Sequence, residues 1–296
     1  MLQSRSIGDR VWKYVCYFFV ILGALICLLP IIHTLALSLS DRASATAGKV
    51  SLWPVNFTTA AYRAILKDEQ FFVSFKNSVA RAALGVPINV LFCILMAYPM
   101  SKTKKQFPSR NRYMWFLLFT MLFSGGMIPS YLLISKLGLM NSIWSLILPS
   151  AVPVYNVILL MNYFKSLPQE LEEAAMLDGA GPMRIMWKIY VPMALPCIAT
   201  VALFSFVGHW NAWFDAAIYI GDQSKIPLQT YIQQLVVNMN VSSSLSFEEQ
   251  MQLAEVSGKA FNAAKVFVTM IPLLVVYPFA QKHFVKGIVL GAVAAL

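Results

Sequence analysis

The stretch KSLPQELEEAAMLDGAGPMRIMWKIYVP, residues 165–192, reads as two short helices joined by a glycine turn. Ser166 is placed as an N-cap, with Pro168 early in the first turn and Gln169 set for a capping box. Leu171, Ala174, Ala175 and Asp178 then share one helical face, with Glu172 and Glu173 beside them. Gly179 ends this helix, because glycine takes the left-handed conformation without steric cost. A second helix starts at Pro182 and carries Met183, Met186 and Trp187, with Arg184 and Lys188 between them. The expected product is a helix-turn-helix with an exposed apolar knob.

Apolar runs of membrane length flank this stretch on both sides. A spanning helix needs about 20 mostly apolar residues, and six segments qualify: residues 14–40, 73–100, 113–135, 142–164, 191–220 and 261–281. The whole chain agrees. Of its 296 residues 58% are hydrophobic and 12% charged, with mean hydropathy +0.65, which excludes a water-soluble globule and a disordered chain alike. Cys16, Cys27, Cys93 and Cys197 lie scattered in apolar runs and form no disulfide or zinc framework. The first run is preceded by Arg5, Arg10 and Lys13, as in a signal peptide. Its apolar core far exceeds the roughly 7–15 residues of such a segment, so it reads as a retained anchor.

Net charge is +10, and the basic residues sit between the apolar runs. The positive-inside rule accounts for them, with no nucleic-acid partner required. Lys102, Lys104, Lys105, Arg110 and Arg112 crowd one short link that holds no acid, which assigns that link to the cytoplasm. Both termini (residues 1–13 and 282–296) and residues 165–190 then fall on the same side. The opposite side receives loops 41–72 and 221–260, the first with Trp53, Phe57 and a short helix from Ala60 to Leu66, the second with a serine tip at Ser242, Ser243 and Ser244. Such loops are large enough to engage a partner. Prolines recur inside the runs, among them Pro30, Pro87, Pro99, Pro129, Pro149, Pro153, Pro196, Pro272 and Pro278, and each favours a kink.

Within residues 165–192, Glu173-Ala174-Ala175, Gly179, Ile189 and Val191-Pro192 resemble the EAA loop of bacterial ABC importer permeases, EAA-x3-G-x9-I-x-LP. The run from Glu173 to Ala180 looks like the carbohydrate branch, which includes the maltose-type permeases. Val191 stands where leucine is usual, and Met186 where that branch commonly has phenylalanine. The tail ends Ala294-Ala295-Leu296, whereas the family's often ends in Lys-Gly. The resemblance covers about Tyr14 to Gly291. It implies an all-α, six-span bundle of the type I importer kind in a bacterial cell membrane. It also implies a second, similar permease, an extracellular or periplasmic binding protein, an oligosaccharide cargo, surrounding membrane lipid and an ATPase dimer. Glu173, Ala174, Ala175, Asp178, Gly179, Ala180, Met183, Met186, Trp187 and Pro192 are the positions it assigns to ATPase coupling. ATP and magnesium would belong to that partner, because this chain has no phosphate-cradling P-loop. No catalytic motif, metal-ligand spacing or cofactor motif is present either.

Ionisable and polar groups inside spans are the default candidates for a transport path. His209, Trp210, Asn211, Trp213 and Asp215 combine aromatic faces with hydrogen-bonding groups, as sugar binding requires. Read as one helix, 209 pairs with 213 and 211 with 215 at i, i+4 spacing. Trp213 fits an interfacial anchor equally well. Asn89, Asn156 and Asn162 also suit interhelical hydrogen bonds. Arg81 and Lys265 lie near outer span ends, where they either snorkel to headgroups or give the vestibule a positive field that favours an acidic sugar such as a uronate. Two other functions stay open: an ABC permease for a non-sugar solute, and a secondary transporter with Asp215 and His209 as a proton relay.

Overall fold

A chain crossing lipid must satisfy its backbone hydrogen bonds internally, which selects helices. The computed structural model describes residues 7–238 and 258–293, and among the described residues every regular element is helical. The N-terminal half contains α1 (Ile7–Ser38), α2 (Arg42–Thr46), α3 (Ala60–Leu66), α4 (Glu69–Ser101), α5 (Arg110–Leu122), α6 (Met127–Lys136) and α7 (Trp144–Ile147). After it come α8 (Val154–Lys165), α9 (Glu170–Leu177), α10 (Pro182–Ile185), a π-helical turn over Met186–Tyr190, α11 (Val191–Met193), α12 (Leu195–Asn211), α13 (Phe214–Tyr219), α14 (Leu228–Asn238) and α15 (Gly258–Val293). The serine tip Ser242 to Ser244 lies outside the described residues, as do Ala294, Ala295 and Leu296.

Six spans result when each bent pair of helices is counted once. Val11–Ser38, Glu69–Ser101 and Gly258–Pro278 cross alone. Three pairs are bent: α5 with α6 by 111°, Trp144–Ser150 with α8 by 47°, and Pro182–Met193 with α12 by 82°. The runs 113–135, 142–164 and 191–220, each holding a proline expected to favour a kink, overlap these bent pairs. Each break has a local cause. Residues 123–126 turn out of helix at Gly126, whose φ of +89° only glycine takes freely. Pro153 starts α8, and Ala194 bends between Pro192 and Pro196, neither of which has an N–H to give. In contrast, helix runs unbroken through Pro30, Pro87, Pro99, Pro272 and Pro278. Proline alone does not mark the bends. The last helix also continues past Gln281 to Val293, so most of the expected tail is helical.

Packing divides the chain into two units, residues 1–69 with 234–270 and residues 70–233 with 271–296. In the first, α1 presents its apolar side chains outward from Val11 to Pro30. The loop after it is a folded cap. Asp41 accepts from the Ser44 N–H at the start of α2, and the Val55 N–H donates to Ser40 Oγ at 3.0 Å. Ser38 Oγ meets the Tyr62 hydroxyl at 2.8 Å, which docks the expected helix Ala60–Leu66 on the end of α1. The ammonium of buried Lys265 pairs with Asp68 at 2.5 Å and lies over the Phe261 ring, instead of snorkelling outward.

In the second unit, α4, α8, α12 and the π-turn enclose a core of Cys93, Ala97, Val157, Leu160, Phe164, Ile185, Met186 and Val201. Tyr98, Phe164 and Tyr190 meet edge to face there, with centroids 5.2–6.5 Å apart. At the opposite ends of these helices, Asn141 accepts from the Gly221 and Asp222 N–H groups, and Asn77 donates to the Ser224 and Ile226 carbonyls. Segments that the charge pattern assigns to one side thus meet one another.

At Gly85 the side chain of His209 from α12 lies directly against α4. A Cβ there would lie 2.4 Å from His209 Nε2, and that ring is held by Asn89 Oδ1 at 3.3 Å. Gly85→Ala is expected to cost about 1–3 kcal/mol of stability by overpacking. In His209→Ala the same change should cost nearly nothing, a coupling that thermal unfolding of the four detergent-solubilised proteins will measure.

Candidate functional site

The polar stretch 165–192 folds as two short helices, with one shift of register at its start. Ser166 belongs to the helix before: its hydroxyl donates to the Tyr163 carbonyl at 2.8 Å, and it closes α8. Helix α9 begins only at Glu170, with no side-chain cap. The Gln169 carbonyl accepts from both Glu172 and Glu173, so the expected capping box is absent. Three glutamates in its first turn face the positive end of the helix dipole instead. Its far end follows expectation. Gly179 has φ +78°, its N–H donates to Met176 O at 3.0 Å, and the Ala180 N–H reaches Ala175 O at 2.9 Å. These two bonds make a Schellman motif, which satisfies carbonyls the helix end leaves free.

What projects from this element is apolar. Leu177 is 90% exposed, and Leu171, Met176, Met183 and Trp187 are exposed as well. Glu173, Ala174, Asp178 and Pro192 share the exposed side, while Ala175 and Ala180 pack on the core. Two expected surface members turn inward. Met186 is buried with Ile185 and Tyr190, since the π-turn swings these positions toward α4 and α8. Glu172 is only 4% exposed. Its Oε2 takes the Lys102 ammonium at 2.8 Å and the Tyr190 hydroxyl at 2.5 Å. The Lys102 ammonium in turn lies over both the Tyr98 and Tyr190 rings, 4.1 and 3.9 Å from centroids that are themselves 5.2 Å apart. Burial pushes its pKa down, and the Glu172 carboxylate opposes that fall.

The membrane-side candidates separate into four environments. Helix α12 stops at Asn211 and Ala212 is extended, so 209/213 and 211/215 are not neighbours on one helical face. Arg81, 2% exposed, binds Asp215 through both terminal nitrogens and donates to the Ala212 and Leu146 carbonyls at 3.3 Å. Its charge is matched within the protein. It neither snorkels nor presents a bare positive field. His209 is buried against Asn89, which also donates to Ser150 O at 3.2 Å, and Asn156 meets Ser205 across helices. Trp210 stacks on Phe206 and meets Phe75 edge-on. It lines an open cleft of about 640 Å³ whose other walls, including Val79, Pro87, Pro272 and Val275, are apolar. Asn211 and Trp213 are exposed at the helix break, where the Trp213 carbonyl accepts from Thr230 Oγ1. Sequence spacing could not reveal the Lys102–Glu172 and Arg81–Asp215 pairs, which join residues 70 and 134 positions apart.

A broken-helix bundle with a short helical pair projecting between two spans is the architecture of a transport permease. The family described as "binding-protein-dependent transport system inner membrane component" matches residues 76–290, and the chain belongs to it. It is 38% identical over 287 residues to the polygalacturonan/rhamnogalacturonan transport system permease protein YtcP of Bacillus subtilis (strain 168), covering 96% of this chain and 99% of that one. Protein LplC of the same organism is 37% identical over 268 residues, 90% of each chain. A chain in the crystal structure of a bacterial ABC transporter involved in the import of the acidic polysaccharide alginate matches with TM-score 0.85 at 33% identity, over 96% of this chain and 100% of that one. The protein is thus a multi-pass inner-membrane permease of an ABC-type importer.

Two expectations follow. Arg81→Gln leaves Asp215 without its cation and should cost about 3–5 kcal/mol of stability, whereas Arg81→Met with Asp215→Leu should recover most of it. Uptake of acidic and neutral oligosaccharides by the single variant should fall equally, a comparison that isolates structure from cargo choice. Gly179→Val forces a β-branched residue into left-handed backbone, with no packing clash, at a cost of about 1–2 kcal/mol. The variant should still insert, yet lose binding-protein-stimulated ATP hydrolysis in the reconstituted complex.

Proposed function

We propose that this chain, with a second permease, forms the path by which an ATP-driven importer moves an acidic oligosaccharide across the bacterial cell membrane. The observation that carries the reading is its nearly full-length similarity, at 38% and 33% identity, to two permeases whose named cargoes are both acidic polysaccharides. The cargo assignment does not rest on Arg81, whose charge Asp215 matches. Sugar hydroxyls and a carboxylate would be met at the break in span five, where Asn211 and Trp213 are exposed.

Both termini and residues 165–190 face the cytoplasm in this reading, as the five basic residues from Lys102 to Arg112 favour. The exposed Leu177, Met183 and Trp187 then form the knob that enters a cleft of the ATPase, which binds ATP and magnesium. The chain itself makes and breaks no bonds. A binding protein delivers sugar from outside, and ATP-driven closure of the ATPases moves the knob and turns the path outward. A proton relay fits less well, because His209 and Asp215 have different partners, Asn89 and Arg81.

Uptake by the complete complex in proteoliposomes tests this. Oligogalacturonides should enter about tenfold or more faster than neutral malto-oligosaccharides, the worth of one charge-assisted hydrogen bond. Uptake should require ATP and the binding protein and resist a protonophore. Preference for the neutral sugar overturns the cargo class, and uptake without the ATPase overturns the mechanism.

A further inference from the structure

The exposed knob touches an ATPase only if something stiff lies behind it. Helix α9 is joined to its neighbours by the short links 166–169 and 178–181. Apolar contacts of Ala175 and Ala180 with the core hold it loosely in direction, since such contacts are non-directional. One feature behind it is directional. Three elements converge on the Glu172 carboxylate: α9 itself, the residue just past the end of α4 (Lys102), and the last residue of the π-turn (Tyr190).

Each partner constrains a different degree of freedom. The Lys102 ammonium fixes the distance between α4 and α9 by an ion pair of 2.8 Å. The edge-to-face pair of Tyr98 and Tyr190 rings seats it in their corner, each contributing a cation–π contact within 4.1 Å, which restricts its swing. The Tyr190 hydroxyl takes the same carboxylate oxygen and orients it. The pair is largely buried, its two side chains 10% and 6% exposed, so a loosened charge has little water to turn to. A surface pair of the same length would be soft and screened by salt.

We propose that Lys102 is a positioning residue for energy coupling: seated on two tyrosine rings and paired with Glu172, it makes the end of α4 and the ATPase-facing helix one rigid body. Movement of the knob is then delivered to α4 and not absorbed in the links 166–169 and 178–181. This rests on the reading of residues 165–190 as the surface that meets the ATPase, and it adds the element through which that surface acts.

The test uses the complete complex, both permeases, ATPases and binding protein, in proteoliposomes, and reads sugar imported per ATP hydrolysed. Lys102→Met should lower that ratio about tenfold, within the usual range of coupling between sites. Lys102→Arg keeps the charge and stacks on aromatic faces, so it should restore most of the ratio. Tyr190→Phe, which removes only the hydroxyl, should have a smaller effect. Because Lys102→Met leaves Glu172 buried without its cation, the double variant Lys102→Met with Glu172→Gln is measured beside it. The double variant should regain thermal stability and ATPase assembly, but not the ratio. An unaltered ratio in the assembled double variant overturns the proposal and leaves the pair a purely structural one. A wild-type complex that binds no ATPase overturns the underlying reading instead, and co-purification separates that outcome from the first.

Discussion

An ionised group in an apolar interior must be matched or it costs several kcal/mol. In a chain that is 12% charged, this one constraint organises much of the architecture. Among the described residues, three cations with side chains at most 10% exposed, Arg81, Lys102 and Lys265, pair with the acids Asp215, Glu172 and Asp68. Every pair ties an irregular segment to a long helix. Lys265 holds the end of the loop after α1 to α15, Arg81 holds the break in span five to α4, and Lys102 holds α9 to the end of the same α4. The long helices need little such help, because their backbone bonds are closed within the segment.

Apolar surface is distributed on the opposite logic. Helix α1 is apolar around its circumference and outward-facing along most of its length, and α5 and α6 likewise expose Trp115, Phe116, Leu122 and Ile128. In water such a surface would drive aggregation. In a bilayer it is solvated by acyl chains, and hydrophobicity no longer presses helices together, so close approach and polar contacts decide the packing. The contact of Gly85 with His209 and the Asn89–Ser150 and Asn156–Ser205 bonds are of that kind.

Local features were legible in the sequence and long-range ones were not. The six apolar runs, the left-handed turn at Gly179 and the helix Ala60–Leu66 follow from composition and short spacing, and all are present. Ser166 shows the limit of local reasoning: the same residue suits the end of one helix or the start of the next, and the chain used it for the first. Glu172 sits among three acids that look alike in sequence, and only Lys102, brought in by another span, makes it the buried one. Met186 is buried because of a π-turn that no local motif announces. The break after Asn211 contains neither proline nor glycine; the carbonyl freed at Ala212 accepts from Arg81, so a tertiary contact stabilises what propensity does not encode.

Helix α4 and the residue just past its end carry the two shielded pairs of the second unit, and their spacing has a mechanical meaning. Arg81 and Lys102 are 21 residues apart, about 30 Å at 1.5 Å per residue, the thickness of a hydrocarbon core. One pair therefore grips α9 near one end of the span, and the other grips the break in span five near the opposite end. Helix continues unbroken between them through Pro87 and Pro99, although proline removes backbone bonds there. Replacing a buried ion pair by well-packed apolar residues is often neutral or favourable for stability, so stability alone gives little reason for two such pairs on one helix. Position does. Charge pairs fix direction where apolar contacts slide, and a strut is useful only if both ends are fixed. With both ends held, α4 joins residues 165–190 to the segment where Asn211 and Trp213 are exposed.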